Sequence, residues 1–371
     1  MRPTKGGRRT LVLNAGSSSL KVSLVDPDDT IVQAETIEDW DGDYAGLDLP
    51  DWDHDVIGHR VVHGGSRFTG PAWIDDRVRA DLAELAPFAP LHQPRSCAGI
   101  DAAARAYPDS PAFAAFDTSF HAGLPAVSRI YAVPQEWPVR RYGAHGLSHA
   151  YTARRAAELL DRDPRGLRVV TCHLGSGASL CSVDGGRSID TTMGLTPLEG
   201  LVMSSRSGTV DPGMILWLQR HHGMGAAEVQ EALEQESGLL ALAGTGDMET
   251  VVRAAEAADE QATFALDVYV HRLAKEAVGM MAATRGTDAI VFTGGVGEHS
   301  PLVRSRVARA LSWVGVHIDE DRNDRCRGDG VLSAHPGDVG ALVVSTHEDV
   351  EVARHGRALE GTSREGGGAA R

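Results

Sequence analysis

Leu11-Val-Leu-Asn-Ala-Gly-Ser-Ser-Ser-Leu-Lys-Val-Ser-Leu-Val25 reads as an apolar strand, a small hydroxyl-rich turn and a second strand. Such a turn leaves backbone N–H groups uncovered and surrounds them with hydroxyl donors, as a phosphate site requires. A related stretch returns downstream as Leu167-Arg-Val-Val-Thr-Cys-His-Leu-Gly-Ser-Gly-Ala-Ser-Leu-Cys-Ser-Val183. Setting Gly16 on Gly175 also sets Ser17 on Ser176 and Ser23 on Ser182. Two such units predict two similar α/β lobes facing each other across a phosphate-binding cleft. Each segment alone is equally well a polar hairpin; the pair together points to a nucleotide-handling enzyme.

A chain of 371 residues accommodates two domains, and 42% hydrophobic residues fill two cores. Lys and Arg total 36 against 51 Asp and Glu, a net charge of −15, which disfavours nucleic acid and anionic membranes as partners. Converging arginines therefore mark local anion sites. Cys97, Cys172, Cys181 and Cys326 are scattered, and read as reduced thiols rather than a disulfide frame or zinc site. The basic start, Met1 to Arg9, leads into no signal-peptide core, and no stretch reaches the ~18 apolar residues of a membrane span. A cytoplasmic location is expected. The Gly-rich tail from Gly361 reads as unstructured.

Apolar runs predict strands at Ile57–His63, Ala112–Phe116, Ala289–Thr293 and Ala341–Ser345. Helical spacing is found over Val78–Leu85 (stopping at Pro87), Met214–Arg220, Ala226–Gln235 and Glu260–Thr284. Ser148 is placed to cap a helix running to about Leu160. The stretch Glu35 to Asp55 reads as loop with short strands. Strands and helices alternate without a low-complexity linker, which favours α/β lobes joined by a hinge.

Several motifs are excluded. No G-x-x-x-x-G-K-[ST] occurs, and the protein-kinase H-R-D and D-F-G pair is missing. Gly295-Val-Gly297 lacks the third glycine of a dinucleotide fingerprint, and His347-Glu-Asp349 does not continue to a second zinc-binding His. What is left is three glycine-rich turns after strands: Asn14–Ser19, Gly175–Ser179 and Gly294–Ser300. They suit a nucleotide with two anchored phosphates, or are simply tight turns. Arg60 lies inside an apolar strand, where a charge is costly unless it meets an anion. Arg206 sits in the small-residue turn Met203-Ser-Ser-Arg-Ser-Gly208. Two guanidinium forks suit a carboxylate and a transferring phosphoryl group; structural salt bridges are the alternative. Asp117 and Glu348 follow apolar strands, where they serve as Mg²⁺ or water ligands or as caps. His145, one residue before Gly146, is a donor for a phosphoryl oxygen. His59, His63, His92, His121, His149 and His173 match no zinc spacing. Leu91 and Pro197 sit in Pro-bounded loops, where packing is the alternative.

In this order the motifs resemble the acetate kinase family of acyl-phosphate-forming kinases. The blocks are Asn14-Ala-Gly-Ser-Ser-Ser-Leu-Lys21, His59-Arg-Val-Val-His-Gly-Gly65, Ala89-Pro-Leu-His92, Phe116-Asp-Thr-Ser-Phe-His121, Arg140-Arg-Tyr-Gly143, His173-Leu-Gly175, Met193-Gly-Leu-Thr-Pro-Leu-Glu-Gly-Leu201, Thr293-Gly-Gly-Val-Gly-Glu298 and Glu348. The resemblance implies the actin/hexokinase-like (ribonuclease H-like) fold. One lobe would span residues 1–118 plus 349–371, and a nucleotide-binding lobe residues 119–348, in a homodimer. It implies ATP + acetate ⇌ ADP + acetyl phosphate by in-line transfer with Mg²⁺, Mn²⁺ being the alternative ion, and small molecules as the partners. By the same resemblance Arg60 and Arg206 hold the carboxylate and the transferring group, and His145 with Arg206 stabilises the transition state. Asp117 orients or activates near the acyl oxygen, and Asn14 and Glu348 position the metal. Asn14, Ser17, Ser19 and Lys21 organise the phosphates, with His173, Gly175, Ser176 and Gly177 in the second turn. Asp247, Met248, Glu249, Gly294, Gly295, Val296 and Gly297 complete the nucleotide site, and Val62, Leu91 and Pro197 line the acyl pocket.

The departures are specific. Ala144 stands where the family carries an aromatic residue, which implies room for a longer acid and a propionate- or butyrate-type kinase as the alternative. Ser176 replaces a usual Asn, Ser204 a usual Gly and Gln93 a usual Asn, while Met248-Glu249 stands where an Arg is typical. The segment between the first hairpin and Arg60 is shorter than usual. A nucleotide-binding sensor with the same fold is a further alternative, against which retention of Arg60, Asp117, His145, Arg206 and Glu348 argues.

Overall fold

The computed structural model describes residues 7–15, 20–37, 49–90 and 92–366, and the chain divides into two compact units. The first comprises Met1–Ala122, Ala144–Tyr151 and His347–Arg371; the second comprises Gly123–Gly143 and Thr152–Thr346.

In the first unit β1 (Thr10–Ala15), β2 (Leu20–Val25) and β3 (Ile31–Ile37) form an antiparallel meander. Two strands parallel to β1 follow across the sheet, β4 (Val56–Val61) and, beyond the short edge strand β5 (Ala72–Trp73) in sequence, β6 (Ala112–Phe116). The sheet order is β3-β2-β1-β4-β6-β5, with β5 antiparallel to β6. Apart from the exposed strand β3, both faces are covered, which is why the inner strands read as largely apolar runs. Leu11 and Leu13 pack with Ala102 and Ala103 of the helix Gln93–Ala106. Val12 turns the other way, to Val352 and Ala353 of the helix Glu348–Gly366. Gly58 permits that second contact: a Cβ there would lie 2.7 Å from Val352 and 2.8 Å from Phe113.

The second unit repeats the plan with β7 (Arg168–Leu174), β8 (Ala178–Asp184), β9 (Arg187–Thr191), β10 (Ala289–Thr293), β11 (Gly330–Val331) and β12 (Gly340–Val343). Its order is β9-β8-β7-β10-β12-β11, again a meander, two parallel strands and an antiparallel edge. The helix Glu260–Ala283, capped by Asp259, buries Leu266, Tyr269, Leu273 and Met280. The duplicated α/β architecture expected from the sequence is borne out.

Three details differ from expectation. The first hairpin closes on Ala15 and Leu20 across four residues, the second on Leu174 and Ala178 across three. The shorter turn slips the alignment, so Ser23 corresponds to Cys181 and not to Ser182. The helix Gly146–Leu159 starts before Ser148, because the Gly146 N–H is already fixed on the Asp117 carbonyl. The final helix runs to Gly366, beyond the Gly361 at which an unstructured tail was expected. All four cysteines are free. Among the described residues no helix is long and apolar enough to cross a membrane.

Candidate active site

Parallel neighbours bring the C-terminal ends of β1, β4 and β6 side by side, and each end carries a polar residue. Arg60 Nε and Nη2 donate to the two oxygens of Asp117 at 3.1 and 2.7 Å. Its Nη1 donates to Asn14 Oδ1 at 3.0 Å. Asn14 Nδ2 donates to Glu348 Oε2 at 2.9 Å, and Arg60 Nε lies 3.6 Å from that oxygen. Four residues distant in sequence thus form one hydrogen-bonded cluster. A guanidinium has five N–H donors, and three of those on Arg60 are engaged by described residues.

Asp117 is 0% exposed. Burial pushes its pKa up to about 6, against the opposing pull of Arg60. Burial also opposes the charge on Arg60, but the Asp117 and Glu348 carboxylates outweigh it and its pKa is raised. At neutral pH the pair is ionic.

His145 is carried to this cluster by the backbone. The Gly146 N–H donates to the Asp117 carbonyl at 2.9 Å, and a Cβ on residue 146 would sit 2.0 Å from that oxygen. His145 itself has φ 55, a left-handed conformation that a non-glycine residue holds only under constraint. Next to it Ala144 is buried, its carbonyl bonded to His121 Nε2 at 3.0 Å. Val62 is buried in the same unit. Lys21 is ion-paired with the buried Asp349 at 2.8 Å. Ser17, Ser19 and Leu91 lie outside the described residues.

The second unit offers a cavity of about 790 Å³. Gly175, Ser176, Asp247, Met248, Glu249, Gly295 and Val296, all expected at a nucleotide, line it. His173, Gly177, Gly294 and Gly297 are not part of that lining. The Gly177 carbonyl closes the turn on the Gly175 N–H at 3.0 Å. Gly294, at φ 77, would place a Cβ 2.8 Å from the Leu174 carbonyl, so a glycine is needed to seat the turn on β7. The Gly297 carbonyl accepts from Arg304 Nη1 at 2.8 Å, and His173 lies within β7. Asp247 also caps the helix Met248–Glu256 through the N–H groups of Glu249 and Thr250.

Sequence reading missed two contributions. Ser204 donates its N–H to the Ser176 carbonyl at 3.1 Å and its hydroxyl to the Gly246 carbonyl, tying three turns of the cavity wall together. The signal was the small-residue turn around Arg206, where Ser204 stood out as a departure. Glu256, at the end of the helix Met248–Glu256, and Glu320 and Asp324, both on the helix Glu320–Arg325, add carboxylates to the wall, and no motif announces them.

Arg206 is half-buried, and its Nη1 donates to the Pro197 carbonyl at 3.0 Å. Among the described residues no carboxylate forms an ion pair with it, and burial lowers its pKa against a weaker opposing effect of Glu234. A cation withdrawn from water without a counterion favours an anionic ligand. Among the described residues no group of three or more His, Cys, Asp or Glu is arranged to hold a metal ion.

The family model of the acetokinase family matches residues 50–354. The acetate kinase of Deinococcus radiodurans is 44% identical, over 95% of this chain and 98% of its own. That of Leifsonia xyli is 45% identical, over 91% and 85%. A solved propionate kinase from Francisella tularensis matches at TM-score 0.84 and 32% identity, covering 94% of this chain and 98% of its own. The Porphyromonas gingivalis acetate kinase matches at 0.82 and 32%, covering 93% and 98%. By the family match, the near-complete coverage at these identities and the shared duplicated fold, the chain belongs to the acetokinase family.

Proposed function

We propose that the chain catalyses reversible, Mg²⁺-dependent phosphoryl transfer from ATP to acetate, giving ADP and acetyl phosphate. The observation that carries the reading is the Asn14–Arg60–Asp117–Glu348 cluster, in an acetokinase chain with a nucleotide-sized cavity. An acetate oxygen attacks the γ-phosphorus, the bond from that phosphorus to the β–γ bridging oxygen breaks, and ADP leaves with the electron pair. Acetate is already ionised at neutral pH, so no general base is required. Asp117 fixes the plane of the Arg60 fork, whose unengaged donors hold the acceptor carboxylate. Arg206 and His145 meet the charge spread over the equatorial oxygens. Ser176 and the Gly295 backbone face the nucleotide, with Asp247 to Glu249 at its other end.

The donor set fits Mg²⁺. Asn14 Oδ1 and the Glu348 carboxylate would hold the ion as hard oxygen ligands, with phosphates and water providing the rest, the usual arrangement for Mg²⁺. Mn²⁺ accepts the same ligands. The ion, when bound, neutralises charge on the β- and γ-phosphates. The partners are small molecules, and the setting is the cytoplasm. A homodimer is supported by the helix Pro212–His222, which buries none of its residues and leaves Leu216 and Trp217 about half exposed.

A second reading, a longer acid, is favoured by Ala144 and by the propionate kinase relative. Hydroxylamine trapping of acyl phosphate from Mg·ATP with acetate, propionate and butyrate in parallel tests both. Fastest product with acetate is the expected result, and faster product with a longer acid moves the substrate but keeps the mechanism. Silence with all three, despite ATP binding, overturns the kinase reading in favour of a sensor.

A further inference from the structure

Residues 192–211, between β9 and the helix Pro212–His222, contain no helix or strand. Connections longer than about 12–15 residues are uncommon in compact proteins and are usually functional. This one carries Pro197 and Arg206, and the segment Gly123–Gly143 of the same unit holds it. Tyr131 accepts the Leu195 N–H at 3.0 Å and donates its hydroxyl to Glu199 Oε2 at 2.6 Å. Arg141 Nη2 donates to the other Glu199 oxygen at 2.7 Å. Its Nη1 donates to the carbonyls of Thr191, Thr192 and Met193 at 3.0, 3.1 and 2.9 Å. The Gly194 carbonyl accepts the Tyr142 N–H at 2.9 Å. A Cβ on residue 194 would lie 1.8 Å from Glu199 Oε2 and 2.2 Å from the Tyr131 oxygen, so the contact needs a glycine. Leu195 and Glu199 flank Pro197 two residues to either side, which makes Pro197 the centre of a short bridge pinned at both ends. Its carbonyl accepts Arg206 Nη1 at 3.0 Å, and the Met203 sulfur lies 3.7 Å from the same nitrogen.

We propose that Tyr131, Arg141 and Glu199 are positioning residues: they pin the bridge on both sides of Pro197, whose carbonyl fixes the aim of the Arg206 guanidinium. Their role rests on the acyl kinase reading, because it is turnover that Arg206 serves. Both Glu199 oxygens are taken by Tyr131 and Arg141, so the carboxylate orders the bridge without pairing with Arg206. A neutral carbonyl steers the guanidinium and leaves its charge for an anionic ligand.

A double-mutant cycle between the pins and Arg206 tests this. Tyr131→Phe, Glu199→Gln, Arg141→Lys, Arg206→Ala and the Tyr131→Phe/Arg206→Ala double variant are compared with the wild type. Thermal melting checks the fold, AMP-PNP calorimetry checks the cavity of the same unit, and labelled acetate reads turnover down to the level of Arg206→Ala. Tyr131→Phe keeps the ring but loses both hydrogen bonds, and should lower kcat about 10–100-fold, the scale of an ångström-sized misplacement. Glu199→Gln should act in the same direction, as should Arg141→Lys, which keeps the charge but not the fork. AMP-PNP affinity should stay within about threefold throughout, because the effect is on kcat and not on binding. In the Arg206→Ala background Tyr131→Phe should cost less than about threefold more, because the group it aims is gone. Wild-type kcat in folded Tyr131→Phe and Glu199→Gln overturns the proposal. So does a loss of equal size with and without Arg206, or an AMP-PNP affinity that falls along with kcat, either of which would leave the bridge a staple only. Should Glu199→Gln not fold, Tyr131→Phe and Arg141→Lys decide by the same readouts. A wild type that makes no acyl phosphate from acetate, propionate or butyrate overturns the kinase reading itself, and this proposal with it.

Discussion

The two sheets share one strand order, yet corresponding positions at their strand ends are chemically unlike. Counting from the closing pair of each hairpin sets Asn14 against His173. The parallel registers then set Arg60 against Thr293, and Asp117 against Thr346. The first trio, with Glu348, forms an ionic hydrogen-bonded cluster. In the second, Thr293 leads into the Gly294-Gly295 turn, and the Thr346 N–H is taken by Glu298 Oε1 at 3.0 Å. The interiors of the central strands, buried on both sides, hold mostly small and apolar residues. Only the ends are free to differ, and there one copy has become charged chemistry while the other has become a glycine-walled cavity.

The proposed function assigns turnover to the first unit and nucleotide binding to the second, with Arg206 as the exception. Arg206→Ala should lower kcat by about 10³-fold or more, as loss of a charge-stabilising arginine does in phosphoryl transfer. A small loss in a folded variant would confine all the chemistry to the first unit. Gly146→Ala drives a Cβ into the Asp117 carbonyl and displaces His145. It should cost about 10²-fold in kcat, the scale of an ångström-sized misplacement, with KM for ATP little changed. A rise confined to that KM would blur the contrast.

The pH profile sharpens it further. Asp117 has its pKa raised to about 6, so it is ionised at pH 7 and takes up a proton as the pH falls. kcat/KM for acetate should therefore fall below about pH 6, roughly tenfold per unit, as for one required ionised group. A flat profile down to pH 5 would remove Asp117 from the working machinery. Ser204→Ala has the smallest expected effect. It deletes one hydrogen bond in the cavity wall, so KM for ATP should rise roughly 3–10-fold while kcat holds. A fall in kcat instead would show the cavity wall contributing to chemistry.

Local signals were the legible ones. The Ala112–Phe116 and Ala289–Thr293 strands and the Ala226–Gln235 helix fall at the positions their patterns predict. Two of the three glycine-rich turns, Gly175–Ser179 and Gly294–Ser300, pointed to residues that line the cavity. Long-range pairings carry no local signal. Asp349, 328 positions from Lys21, lies in a run read only as a failed zinc motif. The Ser204–Gly246 link depends on how two turns pack. The Ser23–Ser182 equivalence failed because aligned letters do not show a one-residue difference in turn length. The early helix start at Gly146 is set by a tertiary contact to Asp117, which outweighs the capping propensity of Ser148.

The division of labour is tested most directly by measuring AMP-PNP affinity and acetyl phosphate production on the same folded Arg60→Ala protein. Turnover should fall by about 10³-fold or more while the nucleotide Kd stays within about threefold of wild type. Loss of nucleotide binding along with turnover, or retention of turnover, would contradict it.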